Sequence, residues 1–119
     1  MKVFILISAI IELVAGLALF FAADKLPMLG HCDAGDFALL KLYGAAALAM
    51  GVFGLSAWRN YSNEGLVSTF LNAFLVFHIG VAMAASTAFA AGVLPDLNTT
   101  YLHGFLALIT GWFWLKNRG

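Results

Sequence analysis

Apolar residues gather into four runs separated by three polar breaks, and each run is long enough to cross a hydrocarbon core, which takes about 20 helical residues. The runs cover 3–22, 37–58, 66–92 and 99–116. They predict an all-α fold, a four-transmembrane-helix bundle forming one membrane domain over 1–119, with little chain left for a folded part outside the membrane. Helices rather than strands follow because a span in lipid must satisfy its own backbone N–H and C=O groups.

The breaks carry helix punctuation. Asp24, Lys25, Pro27, Gly30, His31, Asp33, Gly35 and Asp36 make the first loop, with Asp33 or Asp36 placed to cap the second helix. The second break, Arg59 to Glu64, offers Ser62 or Asn63 as the cap of the third helix. Pro95, Asp96, Asn98, Thr99 and Thr100 end the third helix and supply caps for the fourth. Asn98, Thr99 and Thr100 also match a glycosylation sequon, but a capping role is the simpler use so close to a span.

Composition strengthens the membrane reading. Of the 119 residues 63% are hydrophobic and 10% charged, whereas a soluble domain carries about a quarter charged residues. Six Lys plus Arg balance six Asp plus Glu, which argues against a nucleic-acid groove or a polybasic surface helix. The single cysteine, Cys32, excludes an internal disulfide and any paired-cysteine metal or redox motif. In a four-span chain Lys2, Arg59, Lys116 and Arg118 fall on one side and Asp24, Asp33, Asp36 and Asp96 on the other, so both termini are expected in the cytoplasm. Trp58, Tyr61, Trp112 and Trp114 lie near that same face, as an interfacial aromatic belt would. The competing reading is a signal peptide cut near Ala22 or Ala23. Its apolar run is longer than the usual 7 to 15 residues and holds Glu12 in the middle, which favours a retained span.

An ionisable side chain at the bilayer centre needs a partner or a purpose, since insertion alone costs at least about 2.5–3.5 kcal/mol. Glu12 lies near the middle of the first run, on a stripe with Ser8 and Gly16. It is either a proton or cation site or a neutral carboxyl hydrogen-bonded to another helix. On the third helix Ser68, Asn72, Leu75, His78, Ala82 and Ser86 fall within an arc of about 120°. Asn72 and His78 are therefore expected to join Glu12 in a ligand or proton site near the midplane. A shallower polar pocket is expected toward the outer side from Lys41, Tyr43 and His103, with Tyr101, His31 and Asp36 nearby, unless Lys41 snorkels along its own stem. On the fourth helix His103, Ala107, Thr110 and Trp114 share a face. The three histidines are spread over a loop, a midplane and a helix start, so neither a metal site nor a cofactor is expected. Small residues such as Gly44, Ala47, Gly51 and Gly54, Gly80 with Ala84, and Gly104 with Gly111 predict close helix contacts, within one chain or between subunits. No catalytic motif is present: the chain has no Walker loop, GxSxG or HExxH.

The stretch Leu40-Lys41-Leu42-Tyr43-Gly44-Ala45-Ala46-Ala47-Leu48, continuing to Gly51-Val52-Phe53-Gly54-Leu55, resembles a segment of the DoxX-like small four-span bacterial membrane proteins. Phe77-His78 and Tyr101-Leu102-His103-Gly104 resemble the same group. The resemblance implies a four-helix protein of the bacterial inner (plasma) membrane. Separately, Ala9-Ile10-Ile11-Glu12-Leu13-Val14-Ala15-Gly16 resembles the membrane-embedded Glu segment of small multidrug transporters, an analogy of mechanism in which that Glu exchanges protons for lipophilic cations within a dimer.

The expectation is a multi-pass protein without enzymatic activity that binds membrane lipid or a small lipophilic ligand, or serves as an accessory subunit of a membrane complex. A homodimer or larger membrane complex is the expected assembly. The alternative is a proton-coupled small-molecule transporter working through Glu12 with His78 tuning it. A membrane oxidoreductase or transferase has no supporting motif, and His78 and His103 would be the first residues to test for it.

Overall fold

The computed structural model describes residues 1–25 and 33–117. They form four long helices, α1 (Lys2–Ala22), α2 (Ala34–Arg59), α3 (Glu64–Ala90) and α4 (Asn98–Lys116), with a short 3₁₀ turn (Ala23–Lys25) after α1 and no strand among the described residues. The part of the first break holding Pro27, Gly30, His31 and Cys32 lies outside them, as does Arg118. The described residues fall into two compact units, α1 with α2 and α3 with α4.

Helix ends follow from local hydrogen bonds. Asp33 and Asp36 both serve the start of α2: the Asp36 N–H donates to the Asp33 carboxylate at 2.9 Å and the Asp33 N–H to the Asp36 carboxylate at 3.0 Å. This reciprocal cap fixes the first turn and starts α2 at Ala34, ahead of the apolar run that begins at 37. At α3 the cap is Asn63, whose side-chain oxygen accepts from the Leu66 N–H at 3.0 Å. The apolar run extends to residue 92, yet α3 stops at Ala90. Gly92 adopts a left-handed φ of 72°, its N–H donates to the Phe89 carbonyl, and the Val93 N–H donates to the Ala88 carbonyl. Two backbone bonds around a left-handed glycine close a helix before any proline is reached. At α4, Asn98, Thr99 and Thr100 are already helical, and of the residues expected as caps Asp96 serves: its carboxylate stands ahead of the first free amides and accepts from the Asn98 N–H at 2.9 Å.

In the first unit α1 and α2 are antiparallel and unusually close. A Cβ built on Gly16 would stand 2.7 Å from the Leu48 amide nitrogen and 2.8 Å from the Gly44 carbonyl oxygen. A Cβ on Gly44 would stand 2.8 Å from the Phe20 nitrogen, and one on Gly51 2.6 Å from the Leu13 side chain. Backbone therefore meets backbone. The buried face of α2 is Gly44, Ala47, Gly51, Gly54 and Ala57, and that of α1 is Ile5, Ser8, Ala9, Glu12 and Gly16. Near the open ends of the pair, Lys2 places its ammonium 5.8 Å from the ring centroids of both Trp58 and Tyr61.

Large apolar side chains point the other way. Phe21 is 70% exposed, Leu42 68%, and in the second unit Val76 71% and Leu108 75%. In the first unit mostly small residues lie inside and bulky ones outside, the arrangement expected where lipid, not water, is the surrounding medium. Three helical stretches, Lys2–Lys25, Ala34–Arg59 and Glu64–Ala90, are long and apolar enough to cross a membrane. By length and composition these helices suit a membrane protein. α4 is not among the three: Asn98, Thr99, Thr100, Tyr101 and His103 make its N-terminal turns polar.

Gly44→Ala is expected to destabilise the first unit by about 1–3 kcal/mol, since the obstacle is backbone and cannot swing aside. Gly104→Ala, where a Cβ meets nothing within 4 Å, is expected to be neutral or mildly stabilising. Thermal unfolding of the two variants in detergent measures the contrast.

Candidate functional site

Each unit holds one polar cluster on its buried faces. In the first, Ser8 and Glu12 lie one turn apart on α1 and are each only 2% exposed. Just past this turn Leu13 meets Gly51 and Gly16 meets Gly44 and Leu48, so Glu12 lies at the edge of the close approach between α1 and α2. Tyr43, half-buried on α2, lies close enough for the Glu12 charge to act on its phenol. The Ser8 hydroxyl has no hydrogen-bond partner among the described residues. The buried carboxyl and hydroxyl are oxygen groups, suited to a proton or a hard cation and unsuited to a soft metal.

In the second unit the stripe that approaches α4 is aromatic. Phe70, Phe74 and His78 recur every fourth residue on α3, with Phe70 and Phe74 stacked at 5.0 Å and Phe74 edge-on to His78 at 4.1 Å between centroids. From α4, His103 brings its ring to 4.9 Å from that of His78, and the two Nδ1 atoms are 2.7 Å apart. Phe77 packs edge-on against both imidazoles. Both histidines are buried, at 0% and 6% exposed.

An Nδ1-to-Nδ1 hydrogen bond has a definite proton content. One ring donates from Nδ1 and the other accepts there; with both rings neutral, the two are in different tautomers. A proton on both Nδ1 atoms would set two donors head-on, and the bond would break. The 2.7 Å separation is also shorter than the roughly 3.3 Å between two imidazole nitrogens on one tetrahedral zinc, so the pair as placed is a hydrogen bond and not a vacant chelate. No group of three or more His, Cys, Asp or Glu side chains converges among the described residues.

The sequence places His103 near the outer interface with Lys41 and Tyr43, and His78 at the midplane. The register of α3 and α4 brings the histidines together instead. Ser86 donates to Thr100 at 3.3 Å and Gly111 faces Leu75, so α4 begins beside the last third of α3. His103 then lies only about 7 Å along the axis from His78, a gap two imidazole side chains close. Tyr43 goes with Glu12, and Lys41, two residues before it, points about 160° away and is exposed. Tyr101 is 67% exposed, Asp36 is spent in the α2 cap, and His31 lies outside the described residues.

Asn72 is not on the His78 face. The two are about 120° apart around α3, and the buried side is Val67, Phe70, Leu71, Phe74, His78 and Ala85. Asn72 is exposed, because the aromatic stripe, not the polar one, is turned inward. The Phe70-Phe74-His78 ladder is the feature missed in the sequence, although its four-residue spacing was there to find. On α4, His103, Ala107 and Thr110, read as sharing a face with Trp114, are buried together with Leu106, and Trp114 is half-buried. The Thr110 hydroxyl donates to the Leu106 carbonyl at 2.6 Å.

Comparison with known proteins returns no family model that matches the chain, and no curated protein or solved structure that matches it.

His78→Ala and His103→Ala are each expected to cost about 1–3 kcal/mol, because each leaves a buried ring nitrogen without its partner. The double variant is expected to cost clearly less than their sum. Denaturant unfolding in detergent micelles of the four proteins gives the coupling directly.

Proposed function

We propose that the chain is a multi-pass protein of the bacterial inner membrane, with α4 as a fourth span and both termini in the cytoplasm. In this reading it has no enzymatic activity and binds a lipid or small lipophilic ligand, or serves as an accessory subunit of a membrane complex. The observation that carries it is the division of its surface: outward faces are bulky and apolar, while the histidines at depth are turned inward and bonded to each other. A span of 19 residues reaches about 28 Å, enough for α4 to cross beside α3 with its polar first turns held by Ser86 and His78. Lys2, Arg59 and Lys116 with Trp58, Tyr61 and Trp112 support a cytoplasmic location for both ends, and the Lys2 and Lys116 contacts with those rings suit an interface. Membership of the DoxX-like group belongs to the same proposal, on the Lys41-Leu42-Tyr43-Gly44 stretch whose glycine α1 packs against.

A second reading is favoured by one feature. Glu12 is buried near the middle of α1, one turn from Ser8, where a carboxyl that gains and loses a proton drives exchange in a proton-coupled transporter.

Mass spectrometry of the gently extracted chain is expected to show a retained lipid or lipophilic molecule, or a stoichiometric protein partner, and Glu12→Gln is expected to keep it. If that variant stays folded but loses pH-dependent protection of cells against a lipophilic cation, the transporter reading replaces the first. In a Cys32→Ser background, a cysteine at 98 is expected to label from outside and one at 60 only from inside; the reverse overturns the orientation.

A further inference from the structure

Ser8 is 2% exposed on α1, and its hydroxyl bonds to no described residue. Other helix hydroxyls have a ready solution. Thr69, Ser86, Thr87 and Thr110 each donate to the carbonyl four residues earlier, Thr110 from a position with no exposure at all. The preceding turn of α1 offers Ser8 the same bond, and its hydroxyl does not take it. A buried hydroxyl without a bond is destabilising, so one kept off its own backbone points to a second group that it serves.

The group in reach is Glu12. It follows Ser8 by four residues, about 6 Å along the axis, on the same buried face of α1. Helix side chains tilt toward the N-terminus, which lays the Glu12 side chain over the turn that carries Ser8. The buried face of α2 brings no polar side chain: it is Gly44, Ala47, Gly51, Gly54 and Ala57. Of the other titratable groups of α2, Tyr43 is half-buried and feels the Glu12 charge, while Asp36, Lys41 and Arg59 are exposed. Asp24 and Lys25, in the turn that ends α1, stand at least about 18 Å beyond Glu12, and Lys2 stands about 15 Å before it against Trp58 and Tyr61. Immediately past Glu12, Leu13 fills the space at Gly51 and Gly16 meets the backbone at Gly44 and Leu48. The occupant such close packing suits is a proton.

We propose that Ser8 and Glu12 hold one exchangeable proton between them, with Ser8 as the positioning residue. With the proton on the carboxyl, the Glu12 O–H donates to Ser8 Oγ. Once that proton has left, the Ser8 O–H turns and donates to the Glu12 carboxylate. A hydroxyl both accepts and donates, so one hydrogen bond is present in either state and a single proton is what moves. The bond to the carboxylate is charge-assisted and offsets part of the cost of an ion at this depth. The inference rests on the reading in which Glu12 gains and loses a proton, and adds to it the residue that makes both states tolerable.

The test is infrared difference spectroscopy of the full chain in phospholipid vesicles, between acidic and alkaline buffer. The wild type is expected to show a neutral-carboxyl C=O band that disappears in Glu12→Gln. Ser8→Ala is expected to move that band to higher wavenumber, as for a carboxyl whose O–H has lost its acceptor, and Ser8→Thr to return it. Ser8→Cys, close to serine in size with a weakly accepting sulfur, is expected to place the band between the two and carries the test if Ser8→Ala does not fold. A wild type without a pH-dependent band that Glu12→Gln removes overturns the exchange reading and the role of Ser8 with it. A band that Ser8→Ala and Ser8→Cys both leave in place overturns the role of Ser8 alone. A band that sodium ion abolishes at constant pH makes the pair a cation site and overturns the proton assignment.

Discussion

Hydrocarbon offers no hydrogen bonds, and the polar chemistry of this chain is arranged around that constraint. The free amides and carbonyls at helix ends are met locally, by the Asp33 and Asp36 exchange, by Asn63, by Asp96 and by the left-handed turn at Gly92. Along the helices, the hydroxyls of Thr69, Ser86, Thr87 and Thr110 donate back to carbonyls four residues earlier. The imidazoles of His78 and His103 meet each other. The Ser8 hydroxyl, buried on α1, and the exposed Asn72 amide stand outside this pattern.

With polar groups absorbed in this way, packing must come from shape. Lipid tails are as apolar as leucine, so helices gain little from hiding large side chains and much from close van der Waals fit. In the first unit Gly16, Gly44 and Gly51 let α1 and α2 approach until backbone touches backbone. The second unit solves the same problem with rings: the Phe70 and Phe74 stack leads to His78, and the hydrogen bond to His103 completes the join. One unit is held by the absence of side chains and the other by the most rigid ones available.

The two polar clusters differ accordingly in what chemistry they offer. The histidine pair spends one nitrogen of each ring on the other and reads as a clasp between α3 and α4. Ser8 and Glu12 bury two oxygen groups one turn apart on a helix pair whose glycines leave little room for anything large. A ligand or proton acting there meets a carboxyl fixed by tight backbone packing, so binding and helix contact are one physical matter.

Much of the architecture was legible in residue pattern alone. Apolar runs of span length can only be helices in lipid, and Asp, Asn and Gly at their ends act through bonds to neighbours three or four residues away. The number of long helices, the capping roles of Asp33, Asp36 and Asn63, and the inward stripe of Ser8, Glu12 and Gly16 were therefore open to reading from the sequence. The end of α3 at Ala90 was within reach too, since a glycine that turns left-handed stops a helix that hydropathy alone would continue. What the sequence left undecided was which side of α3 faces inward and how far α4 slides along it. A helix with small, polar and aromatic stripes on different sides has no single apolar face, so the polar arc placed Asn72 and His78 together in the interior. Only the packed structure decided, through the α3 and α4 register that joins His78 to His103 and leaves Asn72 outside, because contacts between residues distant in sequence depend on the fit of whole helix surfaces.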